Sequence, residues 1–152
     1  MAFEPHPLAL NVIGEDLLAL SMTDFYQPEN SPWAVLAYRF DVVVDAVCAG
    51  TISLRIGDTD LVRRLAGHVG FVIDPPFRGN GYAAQAARLI LPLASAHALG
   101  PLWLTCAPDN TASIRTIEKL GATYVETVDV PETYDSYVRG ERQKRRYRLD
   151  IE

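Results

Sequence analysis

Hydrophobic and polar positions change their period once along the chain. Leu8 to Ile13, rich in Leu and Val, predicts a short strand that stops at Gly14. Glu15 to Met22, with Leu17, Leu18 and Leu20 as its apolar members, predicts one or two helical turns. The two prolines, Asn and Ser between Gln27 and Pro32 predict a loop. Ala34 to Val44 reads as a strand, Asp45 to Ile56 as its hairpin partner, and Gly50 as a bulge or a close backbone approach. A charged surface turn over Gly57 to Ala66 leads to a third long strand, Gly67 to Ile73, stopped by Asp74-Pro75-Pro76.

From Ala83 to Leu99 the chain is rich in Ala and Leu and predicts a helix closed by Gly100 and Pro101. Pro92 inside it predicts a kink or two helical pieces. Leu102 to Cys106 is a short buried strand. Asn110 or Thr111 caps a second helix that runs to about Leu120 and ends at Gly121. Ala122 to Val130 and Lys144 to Ile151 have strand character, with a loop at Pro131 to Gly140 between them. Hairpins first and strand–helix units afterwards predict an α+β domain: a mixed sheet with helices on its faces.

Composition narrows the class. At 152 residues, 49% hydrophobic and 22% charged, the chain reads as one globular domain over residues 1–152. Cys48 and Cys106 make neither a disulfide framework nor a metal site. Glu4, Pro5 and Pro7 stand where a signal peptide needs a basic flank and an apolar run, and no apolar stretch is long enough for a membrane span. These features predict a cytoplasmic protein without a membrane partner. Net charge is −5, yet six of the ten residues from Arg139 to Arg148 are Lys or Arg. An anionic partner is one reading of that run. A solvated arm entering the last strand is the other, and the overall acidity argues against nucleic acid.

The stretch from Gly70 through Asp74-Pro75-Pro76-Phe77-Arg78-Gly79-Asn80-Gly81-Tyr82-Ala83 runs strand, turn, glycine loop, helix start. Glycines let the backbone turn sharply and leave amides open to a ligand, and a helix N-terminus attracts anions. A diphosphate suits several converging amides. A Walker A loop is excluded because no Lys-Ser/Thr follows Gly81, and the G-x-G-x-x-G dinucleotide fingerprint is missing.

Arg78, Gly81 and Ala83 after Val72-Ile73-Asp74-Pro75 resemble motif A of the GNAT superfamily of N-acetyltransferases. Asn110-Thr111-Ala112-Ser113, continuing to Glu118-Lys119-Leu120-Gly121-Ala122, resembles that family's second signature. The branch looks similar to the ribosomal-protein and small-molecule acetyltransferases. The resemblance implies a largely antiparallel sheet of six to seven strands with helices on both faces and splayed central strands. It also implies acetyl-CoA as co-substrate, with no metal. The backbone of Phe71, Val72 and Ile73 would bind pantetheine, amides from Arg78, Gly79, Asn80, Gly81, Tyr82 and Ala83 the diphosphate, and Asn110 the thiol end. Arg78 would assist the diphosphate or brace the loop.

Acetyl transfer needs a neutral amine, a donor for the oxyanion and an acid for the thiolate. The resemblance makes the N–H of Val72 or Ile73 the oxyanion donor. His68, at the start of the motif A strand, is the side-chain base, or else an edge histidine with no task. His6 and His97 read as structural. The family's usual tyrosine position holds Ile117, so Ser113, Cys106, Tyr124 or solvent would protonate the thiolate. Trp33, Tyr38 and Arg55 are candidate lining for an acceptor pocket. The expected activity is transfer of acetyl to a small-molecule or peptide amine in a ternary complex, with a non-catalytic acyl-CoA sensor as the alternative. Open sheet edges make a homodimer a further expectation.

Overall fold

A computed structural model describes residues 2–10 and 18–151. Strands β1 (Leu18–Tyr26), β2 (Leu36–Val44), β3 (Val47–Ile56) and β4 (Val69–Ile73) form one antiparallel sheet in that order. Helix α1 (Tyr82–Ala96) and strand β5 (Leu102–Cys106) follow, then α2 (Thr111–Lys119), β6 (Thr123–Asp129), the single turn α3 (Asp135–Val138) and β7 (Gln143–Leu149). Strands β5, β7 and β6 make a second antiparallel sheet with β7 in its centre. The α+β class and the seven strands among the described residues agree with expectation.

The beginning of the chain differs. Pro7–Leu10 is a 3₁₀ turn where the start of a strand was predicted, and positions 11–13 of that segment lie outside the described residues. The predicted helical turns up to Met22 are β1 from Leu18 onward, because β2 offers a partner in register from Leu18↔Val44 to Tyr26↔Ala37. The first part of that segment, before Leu18, is also outside the described residues. The predicted surface turn before β4 contains a wide helical turn, Leu61–Ala66, closed by a bond from Gly67 N–H to Val62 O at 2.7 Å. Helix α1 continues through Pro92 as one element. The carbonyl that loses its donor there is on Arg88, an exposed residue.

Strand β2 turns into β3 through Asp45 and Ala46, both at positive φ (50° and 65°), the backbone of a tight two-residue hairpin. Both readings of Gly50 hold. The register shifts opposite it, between Val42 and Val43, and a Cβ on Gly50 would come within 2.1 Å of Val72 O. Side chains alternate across the first sheet. Phe40, Val42, Ile52 and Leu54 are fully buried in one core with Ala86, Ala87, Ile90, Leu93 and Ala94 of α1. Burying each of the larger ones contributes about 1.5–3 kcal/mol. Thr51, Ser53 and Arg55 project from the opposite face of β3, which leaves that face for other work.

Candidate active site

Strand β4 ends at Ile73, and Asp74-Pro75-Pro76 carries the chain through a 3₁₀ turn into the glycine loop. Gly79 and Gly81 have φ of 86° and 77°, which non-glycine residues rarely adopt. A Cβ on Gly79 would meet nothing within 4 Å, and one on Gly81 only Lys119 Nζ at 4.0 Å. The loop is therefore an open cradle with a lysine ammonium beside it. Within α1 the first bond runs from Gln85 N–H to Gly81 O, so the amides of Tyr82, Ala83 and Ala84 have no partner in the helix. These donors, the open glycines and the positive end of α1 suit a diphosphate. Two side chains brace the loop: Arg78 Nε donates to Ile73 O at 2.8 Å, and Asn80 Nδ2 donates to Phe77 O at 3.0 Å.

The two sheets meet at one point and then part. His68 N–H donates to Trp103 O at 2.7 Å, and no ladder joins β4 to β5 beyond it. Arg55 N–H donates to His68 O, and Asp74 N–H to Ala49 O, which fixes the phase of β4 against β3. His68 through its carbonyl, Asp74 through its N–H, and Gly70 and Val72 through both groups pair with β3. The intervening Phe71 presents both of its groups to the gap and Ile73 its N–H, the Ile73 carbonyl being taken by Arg78 Nε. Val72 N–H is thus directed at Thr51 on β3 and is removed as an oxyanion donor. Ile73 keeps that geometry and Phe71 acquires it.

The gap is a cleft of about 310 Å³, at the lower end of small-molecule sites. Phe71, Val72 and Ile73 form one wall, with Arg78, Gly79, Gly81, Tyr82 and Ala83 at the loop end. Asn110 and Ser113 form part of the other wall. Asn80 is the one expected loop residue outside it. Asn110 caps α2, its side-chain oxygen accepting from Ser113 N–H at 3.1 Å, and its Nδ2 remains as the donor for the cleft.

A second cleft of about 390 Å³ adjoins the first and shares Phe71, Val72, Asn110 and Ser113 with it. Its floor is the free face of β3, Thr51, Ser53 and Arg55, with Trp33 alongside. Tyr134, Ser136, Arg139 and Glu141, from the segment around α3, and Lys144 of β7 form the far side. Cys106 lines this cleft, where burial pushes its thiol above the usual range, and so does Ile117. Trp33 and Arg55 are the expected lining; the loop after Val130 is legible from the sequence as an acceptor segment, but no single residue from Tyr134 to Lys144 is. Tyr38 lies elsewhere: it is buried, donates and accepts around its hydroxyl with His97 Nε2 at 2.6 Å and His6 N–H at 2.9 Å. Those contacts explain His6 and His97 as structural. Tyr124 stacks under Arg145 and touches neither cleft.

His68 is apart from both clefts. It is fully buried, its Nδ1 accepts from Trp103 N–H at 2.8 Å, and its Nε2 donates to Gly57 O at 3.0 Å and Asp58 Oδ1 at 3.1 Å. Burial pulls its pKa below the ordinary value despite Asp58, so the neutral Nε2–H ring fits these partners. Both nitrogens are engaged and His68 lines neither cleft, which opposes the reading of it as the base.

The basic run is not one continuous open patch: Arg139, Arg142 and Arg148 are exposed, and the other three are tied into the fold. Arg146 is buried, donates to Arg63 O and Glu126, and lies 4.1 Å from the Trp103 ring centroid. Lys144 pairs with Glu141 at 2.7 Å, Arg145 covers Tyr124, and Arg148 pairs with Asp150 at 3.1 Å. Among the described residues no cluster of side chains suits a metal ion, and no helix is long and apolar enough to cross a membrane.

Residues 2–123 match the family model of the acetyltransferase (GNAT) domain. Solved structures share the fold at low identity. RimL, a ribosomal L7/L12 α-N-protein acetyltransferase in complex with coenzyme A, aligns with a TM-score of 0.61 and 17% identity over 76% of this chain and 62% of its own. The microcin C7 self-immunity acetyltransferase MccE, in complex with acetyl-CoA and AMP, gives 0.60 and 19% over 76% and 61%. RimJ of Mycobacterium smegmatis, in complex with CoA-disulfide, gives 0.60 and 17% over 75% and 53%. The chain thus spans less than two-thirds of the length of these structures. No curated protein sequence matches it significantly.

Proposed function

Because the chain belongs to the GNAT acetyltransferase family, we propose that it is an acetyl-CoA-dependent N-acetyltransferase in which an amine attacks the thioester within a ternary complex. The observation that carries this reading is the pair of adjoining clefts sharing Phe71, Val72, Asn110 and Ser113. One has donors that suit acetyl-CoA, and the other reaches the same shared residues from the floor of β3, where an acceptor amine can approach.

In this reading the amides of Tyr82, Ala83 and Ala84 and the ammonium of Lys119 hold the diphosphate. Backbone groups of Phe71 and Ile73 pair with pantetheine as an added strand does. The N–H of Phe71 or Ile73 donates to the carbonyl oxygen as negative charge develops there. Asn110 Nδ2 holds the thiol end, and the Ser113 hydroxyl, beside both clefts, is the proton donor for the thiolate. Removal of the amine's proton falls to Glu141 or to solvent, since Glu141 is the carboxylate in the acceptor cleft. Burial raises its pKa, but Lys144, Ser136 and Arg139 outweigh that and hold it below the usual value, so it is ionised at neutral pH.

Calorimetric titration with acetyl-CoA and with CoA tests the cofactor half, and thiol release across an amine panel tests the transfer. Saturable binding with amine-dependent thiol release is expected. A folded sample that binds neither would sink the proposal. Saturable binding without release by any amine would favour the sensor reading, which the aliphatic Ile117 in the second cleft also suits.

A further inference from the structure

Arg55 is a cation buried in the acceptor cleft without an anion. Its Nη1 donates to the carbonyls of Ala66 at 2.8 Å and Gly67 at 3.1 Å. The guanidinium carbon lies 4.3 Å from the Trp33 ring centroid. Its Nε is buried with no hydrogen-bond partner, and no ion pair reaches it among the described residues. Burial lowers its pKa to about 10, partly offset by Tyr134, so it is charged at neutral pH. A buried charge is costly unless it is paired.

The surroundings keep that charge available. A Cβ on Gly70 would come within 2.6 Å of Arg55 Nη2, so only glycine at this point of β4 leaves the guanidinium its place on the floor. Glu141, the carboxylate that lines the same cleft, is already paired with Lys144 at 2.7 Å. Arg139 adds a further positive charge. In a chain of net charge −5, this cleft has an unspent positive excess.

We infer that the acceptor is an amine that also carries a carboxylate, which Arg55 holds beside Trp33 while the amine reaches Val72 and Ser113. The inference rests on the acetyltransferase reading above. A guanidinium offers planar, paired donors that match a carboxylate, and Trp33 keeps the plane in position. A neutral amine of the same size would leave the buried charge as it is and gain nothing from it.

The test uses matched amines with acetyl-CoA and thiol release as the readout. The pairs are unbranched ω-amino acids against their primary amides, and short peptides with Asp against Asn at the second residue. In the native protein the carboxylate member should be preferred by about tenfold or more in kcat/KM, as a charged hydrogen bond gives. In Arg55→Gln, checked for folding by its thermal transition, that preference should collapse toward parity as the carboxylate member slows. Equal rates in the native protein, a preference for amides, or a preference that survives in Arg55→Gln would overturn the inference. So would turnover of no carboxylate amine by a protein that binds acetyl-CoA. Titration with acetyl-CoA separates the failures, since loss of that binding in the native protein defeats the acetyltransferase reading itself.

Discussion

Trp103 donates its backbone N–H to Nδ1 of His68, 2.8 Å away and 35 positions earlier in the chain. With the reciprocal bond from His68 N–H to Trp103 O, this ring fastens the two sheets where they are closest.

Replacing His68 with Ala therefore should leave an unpaired N–H inside the protein, at a cost of about 1–3 kcal/mol. It should not alter the shape of the pH–rate profile. Denaturant unfolding and kinetics on the same variant check both statements, and loss of the profile's rising limb on the acid side with stability unchanged would restore histidine to the chemistry.

A pH dependence of stability follows from the same ring. Burial depresses the native pKa of His68, and burial with His6 depresses that of His97. The unfolded chain then takes up protons below about pH 6.5 that the native chain does not. Stability should fall as pH drops through that value, and the slope should lessen in His68→Ala. Midpoints of urea unfolding between neutral pH and about pH 5 give the slope directly.

Asn110 has two tasks that substitutions can separate. Asn110→Ala removes the helix cap and should cost about 1 kcal/mol together with acetyl-CoA affinity. Asn110→Asp keeps an oxygen for Ser113 N–H but loses Nδ2. Restored stability without restored affinity, by thermal unfolding and calorimetry, is the expected result; recovery of both would remove Asn110 Nδ2 from the site.

Gly81→Glu forces a side chain into a left-handed backbone and sets a carboxylate where the diphosphate is proposed to bind. The backbone change should cost about 1–2 kcal/mol. The fall in acetyl-CoA affinity should be about a hundredfold or more, beyond what strain explains. Calorimetry on the folded variant decides, and near-native affinity would displace the diphosphate from this loop.

Arg146 links β7 to Glu126, Arg63 and Trp103, so its charge is spent within the fold. Arg146→Ala should cost about 2–3 kcal/mol, less than a fully buried pair because Glu126 is half-exposed. Duplex DNA titrated at about 0.15 M salt should show no specific binding by the native protein. Tight, steeply salt-dependent binding would return the run to its other reading.

What the sequence made legible was local. Gly79 and Gly81 before an alanine-rich run, and Asn110 before Ser113, state their own geometry, because each cap or turn is built from neighbours a few positions away. His68 was not legible, since its partners Gly57, Asp58 and Trp103 reach it only through the tertiary fold. The same holds for the acceptor side: Tyr134, Ser136 and Glu141 stand in a segment without hydrophobic period. Leu18 and Leu20 were drawn into a predicted helix because a short apolar cluster cannot reveal that β2 will pair with it.

The phase of β4 has a consequence for how this site can be lost. Its amides alternate between β3 and the cleft, so the strand has a parity as well as a sequence. One residue inserted between Gly70 and Ile73 would exchange odd and even positions beyond it. Carbonyls and N–H groups now serving the cleft would turn toward β3 while every side chain of the glycine loop stayed the same. Length variation here should therefore be tolerated in steps of two or not at all, and a chain with an intact motif but an odd insertion would be a silent copy of this one.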